Sequence, residues 1–197
     1  MIPVRGELRA LLGIGALATA GLCIPMAAES QLPSCAFRGA PDALVERPSP
    51  LDSLVIELGG AQAKLCYGRP SLRGRAMIGV VEPYGTPWRM GANEPTTLHL
   101  GFAARFGPVE LEPGSYSLYA IPQASNWTIV VNSDARRWGI PISPDVRRSD
   151  VGSFEVETRR SDTVVETLTF SFEGGGNEGD LLFAWERTSL RIPIRRR

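Results

Sequence analysis

Histidine occurs once in this chain, at position 99, lysine once, at position 64, and cysteine three times. A single imidazole excludes a histidine-rich zinc site and the two-histidine helix motif of metalloproteases, which need several imidazoles at fixed spacing. A Ser-His-Asp triad would rest wholly on His99, and no Gly-x-Ser-x-Gly elbow exists to present a serine. Within "TTLHL" (96–100) the histidine falls on the polar side of an alternating strand, which points to a surface or cross-strand role rather than catalysis. A phosphate-cradling Gly-x-x-x-x-Gly-Lys-Ser/Thr loop is missing, and so is a Cys-x-x-Cys redox or metal pair. "NEGD" (177–180) lacks the spacing of a calcium loop, and Gly174 to Gly176 precede no helix, so both read as a hairpin tip. Nothing in the sequence calls for a metal or a cofactor.

Charge of one sign is lacking too. The 21 basic residues balance 21 acidic ones, which gives no overall field toward nucleic acid or an anionic membrane. The terminal "RIPIRRR" reads as a solvated chain end. Every basic residue except Lys64 is arginine, so an arginine is by itself weak evidence that bidentate geometry is required at its position. Helical periodicity is absent beyond about 10 residues, and only "SDARRWG" (133–139) has room for one or two helical turns.

At the N-terminus, Arg5 and Arg9 precede an apolar run from Ala10 to about Met26 and then small residues. That pattern predicts a secretory signal peptide over residues 1–28, cut after Ala28. The run is short and rich in Gly, Ala and Thr for a membrane anchor, and nothing downstream is apolar enough to span a bilayer. Lipid attachment fits less well: Leu22 before Cys23 is the wrong neighbour, and Glu29 and Gln31 separate "LPSC" from the apolar run. The product is expected to be periplasmic or extracellular. Residues 29–52, rich in Pro, Ser and Ala, suit a flexible arm, and 53–197 make one domain without internal repeats. Cys35 and Cys66 then remain, and an oxidising compartment permits a disulfide between them, although two free thiols fit the sequence equally well.

Beyond the arm, apolar and polar residues alternate in short runs. "LVIEL" and "AKLCY" flank Gly59-Gly60, a dipeptide suited to a tight hairpin. "GPVELEPGSYSLYAIP" reads as strand, Pro-Gly turn and strand, and "NWTIVVN" as a buried strand. "SFEVETRR", a turn near Ser161-Asp162, "TVVETLTFSFE", and then "LLFAWER" and "LRIPIR" continue the series. About nine or ten short strands predict an all-β fold, a single antiparallel β-sandwich or flattened barrel.

One connection is long and irregular. "YGRPSLRGRAMIGVVEPYGTPWRMGANEPTT" (67–97) holds four arginines, four prolines and five glycines. So long a loop is functional or packed as a unit, and Met77, Ile78, Val80, Val81, Trp88 and Met90 are its expected apolar anchors. Tyr67, Arg69, Arg75, Tyr84, Trp88, Arg89, Asn93 and Glu94 are the candidate ligand-binding residues, offering π faces, guanidinium donors, an amide and a carboxylate.

The blocks "YGRPSLRGR", "VEPYGTPWRMGANEPT", "LEPGSYSLYAIP", "WTIVVN", "WG" and "AWERTSLRIPI" resemble, in order and spacing, the bacterial domain of unknown function 2911 family over roughly residues 54 to 195. The resemblance implies an exported protein and makes Tyr67, Arg69, Pro70, Arg75, Pro83, Tyr84, Gly85, Trp88, Arg89, Gly91, Ala92, Asn93 and Glu94 signature positions. It implies no activity. The segment "IPISPDVRRSDVGSFEVETRR" departs from the family pattern, which weakens any role for "WG" (138–139).

Two readings of the loop compete. In one, Trp88 plugs the sandwich, Arg89 or Arg75 forms a buried ion pair with Glu94, and Asn93 bonds loop carbonyls. In the other, Arg69, Arg89, Asn93 and Glu94 line a pocket floored by Tyr84 and Trp88. The expected function is a non-catalytic binding module in the cell envelope for a polar or anionic small molecule or a carbohydrate, with no nucleic-acid partner. The enzyme alternative is a hydrolase using Glu94 as general acid or base, with Arg89 steadying developing charge, Asn93 orienting substrate, and Glu82 or Glu186 as second carboxylate. A third alternative is an envelope scaffold pairing through an edge strand.

Overall fold

A computed structural model describes residues 1–2 and 32–197. Chain order runs α1 (Asp42–Val45), β1 (Leu51–Leu58), β2 (Ala61–Gly68), β3 (Thr96–Leu100), β4 (Ala104–Phe106), β5 (Val109–Leu111), β6 (Gly114–Pro122), β7 (Asn126–Asn132), α2 (Pro144–Arg147), β8 (Asp150–Glu157), β9 (Arg159–Gly175) and β10 (Glu178–Arg196). These strands form a six-stranded sheet, ordered β1-β2-β3-β6-β7-β8, and a four-stranded sheet, ordered β5-β4-β10-β9. Every pairing is antiparallel, and the two sheets make an open sandwich rather than a closed barrel. Among the described residues no helix is long and apolar enough to cross a membrane.

The alternation visible in the sequence sets the faces. In β2, Ala63, Leu65 and Tyr67 point into the core, and Lys64 and Cys66 point to the outer side. Gly59 and Gly60 close the first hairpin with φ of 57° and 75°, the left-handed pair that a two-residue turn of the right twist needs. Rings dominate the centre. Trp88 stacks on Trp185 at 5.6 Å between centroids and meets Trp127 edge-on at 5.8 Å, while Phe183 packs on Trp127 at 5.2 Å.

Trp88 arrives from the long loop, and both of its backbone groups pair with Ala120 of β6 (2.7 and 2.8 Å). The loop is stitched to both sheets. Ser71 bridges Thr167 of β9, the Glu186 carboxylate of β10 accepts the Met77 and Ile78 amides (2.5 and 3.1 Å), and the Gly85 amide donates to Pro122 of β6. Met77, Trp88 and Met90 are buried anchors as expected, but Val80 and Val81 are exposed, because the turn from Met77 to Glu82 closes on its own backbone and turns them outward.

Other local expectations are corrected. No turn interrupts the chain at Ser161-Asp162: β9 runs through it, and irregular register opposite Glu186 absorbs the bend. "LLFAWER" and "LRIPIR" are one strand, since the positive φ of Glu186 (55°) lets β10 bend without ending. "SDARRWG" holds no helix; its carbonyls and Asp134 are spent on local hydrogen bonds, and the helical turn lies at α2, where Ser143 caps Val146 and Pro144 occupies the first helical turn.

Residues 3–28 of the expected signal peptide lie outside the described residues. The arm, described from residue 32, is fastened along its length. Cys35 is disulfide-bonded to Cys66, with Cα atoms 5.6 Å apart. Lys64 donates to the Pro33 carbonyl (2.9 Å), Arg73 to Pro48 (2.9 Å), and the Arg69 amide to Pro50 (2.8 Å).

Candidate functional site

The outer face of the six-stranded sheet is polar. His99 bonds Ser115 across the strands at 2.8 Å, and burial with Lys64 beside it holds the imidazole below its ordinary pKa of 6.5. Tyr119 donates to Asp150 at 2.7 Å; burial, then that carboxylate, pushes its hydroxyl up to about 12. Asn132 donates to Asp150 and to the Val146 carbonyl, both at 2.8 Å. The arm and residues 133–149 cover parts of this face.

Glu94 stands where these two covers meet. It is 6% exposed, its Oε1 accepts the Arg38 amide (3.0 Å), and its Oε2 accepts Arg47 Nη2 (2.5 Å). The buried ion pair expected for Glu94 therefore exists, but its partner is Arg47 of the arm and not Arg89 or Arg75. Losing one member of such a buried pair costs about 3–5 kcal/mol. Asn93, at φ 63°, donates to Ser49 of the arm rather than to a loop carbonyl. Arg89 is half-buried with its Nε unpartnered; burial lowers its pKa, against the opposing influence of Glu82 and Glu94. Burial likewise raises the Glu82 carboxyl above its usual range, with Arg89 opposing.

Gly139 sits on this junction. A Cβ there would lie 2.2 Å from the Asn93 carbonyl oxygen and 2.6 Å from Arg89 Cδ, so close backbone approach dictates glycine. "WG" therefore has a definite structural part, and its neighbour Arg137 is held by Ser117 (3.3 Å) and by the Trp138 and Gly139 carbonyls (3.0 and 3.1 Å). A cleft of about 210 Å³ opens here, lined by Phe37, Arg38, Glu94, Thr97, Arg137 and Trp138 among others.

Tyr67 and Arg69 lie elsewhere. The Tyr67 hydroxyl donates to Asp52 (3.3 Å) and accepts the Phe170 amide (3.3 Å), and burial chiefly raises its pKa. Arg69 bonds the Leu168 carbonyl (3.0 Å) and Thr169 (3.1 Å) and pairs with Asp52 at 3.5 Å. Both tie β2 to β9. Trp88 is core and touches neither cleft.

Arg75 and Tyr84 line a second, open cleft of about 420 Å³ between the loop and the bend of the β9–β10 hairpin. Arg160, Arg187, Glu186 and Val164 complete its walls. Arg75 donates to the Leu72 carbonyl (3.0 Å), and Arg187 to the Ser161 (3.4 Å) and Asp162 carbonyls. Among the described residues, Arg75, Arg160 and Arg187 form no ion pair, and Glu186 is engaged by two loop amides. Tyr84 is 48% exposed.

The eight candidate residues thus fall into four places rather than one pocket. Sequence reasoning missed Arg160 and Arg187, because only the bent pairing of β9 with β10 brings them to the loop. It missed Arg47 because its partner Glu94 is remote in sequence, and Arg137 because no motif marks a guanidinium that bonds its own neighbours' carbonyls.

The fold and these clefts define an all-β, two-sheet protein with two arginine-lined recesses, one between the long loop and the β9–β10 hairpin and one between the arm and residues 135–138. The model of the family described as Protein of unknown function (DUF2911) matches residues 49–194, and the chain belongs to that family. Neither a curated protein nor a solved structure matches it.

Proposed function

We propose that this protein is an exported, non-catalytic binding module, and that the open cleft of Arg75, Tyr84, Arg160 and Arg187 takes an anionic small molecule or an acidic carbohydrate. One observation carries the reading: three guanidiniums that have no carboxylate partner among the described residues line one recess, whose own carboxylate, Glu186, is already bound by two backbone amides. Planar guanidiniums suit carboxylate, sulfate or phosphate oxygens, and the half-exposed Tyr84 ring offers a face on which a sugar can stack. Binding is favoured over hydrolysis because the Glu94 and Glu186 oxygens are already engaged by Arg47 and by backbone amides rather than turned to a substrate. The Cys35–Cys66 disulfide accords with an oxidising compartment.

Calorimetric titration with oligogalacturonate and with its neutral galactose counterpart tests the proposal. The acidic oligosaccharide should bind more tightly, its affinity should fall with added salt, and Arg160→Ala should weaken it about tenfold. Arg160 is exposed and makes no ion pair, so the melting temperature of that variant should stay within about 0.5 kcal/mol of equivalent stability. Equal affinity for the neutral sugar, or no loss in Arg160→Ala, would sink it.

A further inference from the structure

The cleft beside the arm is a separate matter. Its volume of about 210 Å³ equals on the order of seven liquid waters at about 30 Å³ each. Phe37, Leu51, Pro95 and the Trp138 ring supply apolar wall, and Thr97 on the outer face of β3 supplies a hydroxyl. The charges do not cancel. Arg38, Arg136 and Arg137 line the cleft against one carboxylate, Glu94, which is already consumed by Arg47 and the Arg38 amide.

Arg137 is the sharpest signal. Its Nε and Nη1 are fixed by Ser117 and two carbonyls, so the guanidinium cannot swing away. Its Nη2 is buried and has no partner among the described residues. Buried donors are nearly always satisfied, and leaving one without an acceptor is costly. Burial also lowers the Arg137 pKa, against the opposing influence of Asp134, Tyr119 and Asp150, none of which lines the cleft. Across the same cleft the Arg38 guanidinium lies over the Trp138 ring at 5.0 Å, a second cation held at the rim without using up its donors.

We infer that this cleft is a binding site for a small monocarboxylate with a planar or apolar body, its carboxylate received by Arg137 and Arg38 and its body lying against Trp138 and Phe37. A free inorganic anion would answer the guanidiniums but leave the apolar wall wet. A larger ligand would not fit beneath the arm, which the Cys35–Cys66 disulfide fastens beside the cleft.

The test is a nuclear magnetic resonance titration of the oxidised full chain with sodium benzoate, following the Trp138 indole N–H resonance, with sodium acetate and inorganic phosphate as comparison probes. Benzoate should shift that resonance saturably, acetate should bind more weakly, and phosphate should not saturate. Arg137→Gln should weaken benzoate about tenfold or more, and Arg160→Ala, in the other cleft, should leave it unchanged. A linear, unsaturating response to benzoate overturns the inference, as does saturation that survives Arg137→Gln or is matched by phosphate. Should Arg137→Gln fail to fold, Phe37→Ala removes only a part-exposed wall. Benzoate affinity undiminished in that variant overturns the inference equally.

Discussion

Two regions of the molecule use the same residue type in opposite ways. In the arm, Arg47 is 13% exposed and locked to Glu94 at 2.5 Å. At the hairpin bend, Arg160 lies exposed and forms no ion pair among the described residues. The difference teaches that arginine in this chain is first a substitute for lysine, and that its role is set by what surrounds it. Where a guanidinium meets a carboxylate of the chain, as Arg47 meets Glu94, it joins the fold and its loss costs stability; where no carboxylate pairs with it among the described residues, as at Arg160 and at Arg137, the group is free to meet a ligand.

The strongest way to break the contrast is to cut the buried pair. Glu94→Gln leaves Arg47 buried without its anion and should cost about 3–5 kcal/mol, read as a fall of many degrees in melting temperature. If Glu94→Gln melts like the parent, the enclosed region is no more structural than the open one. Next in size is the strap. Cys35→Ser removes a cross-link with sequence separation 31, for which chain entropy gives roughly 3.7 kcal/mol and typical measurement about 2–4. That loss should leave acidic-sugar binding at the open cleft intact while weakening benzoate beneath the arm.

The smallest effect is a pH dependence confined to the covered face. The folded state holds the Tyr119 proton to about 12, against 10 for the ordinary side chain. Its contribution is therefore fully present below pH 10 and is lost as pH rises from 10 through about 12. Tyr119→Phe should flatten that alkaline limb in urea melts taken at several pH values. An unchanged limb would mean that other groups carry it.

Much of the sandwich was legible because the core signal is local. Alternation in β2, β3 and β7 and the Gly59-Gly60 hairpin depend only on near neighbours. The continuity of β9 and β10 was not legible, because polar "TRRSDT" (158–163) reads as a turn unless a partner strand is known to lie opposite. The α2 turn carried a readable signal, Ser143 before Pro144, that helical periodicity alone passes over. For the site, residue types were readable and partners were not. Glu94 and Arg47 are 47 positions apart, and Arg69 and Thr169 are 100 apart. A sequence that draws nearly all its cations from one residue type offers no pattern by which to match them.

Because Trp88 is at once part of the long loop and the centre of the aromatic core, the loop cannot swing as a lid. Lifting it would expose a ring stacked on Trp185 and release the pairing with Ala120, an excursion comparable in cost to unfolding much of the domain. Entry to the open cleft is thus left to surface side chains such as Arg160 and Tyr84, which reorient in picoseconds to nanoseconds. Its occupancy should follow ligand concentration at once, without the millisecond delay of a closing loop.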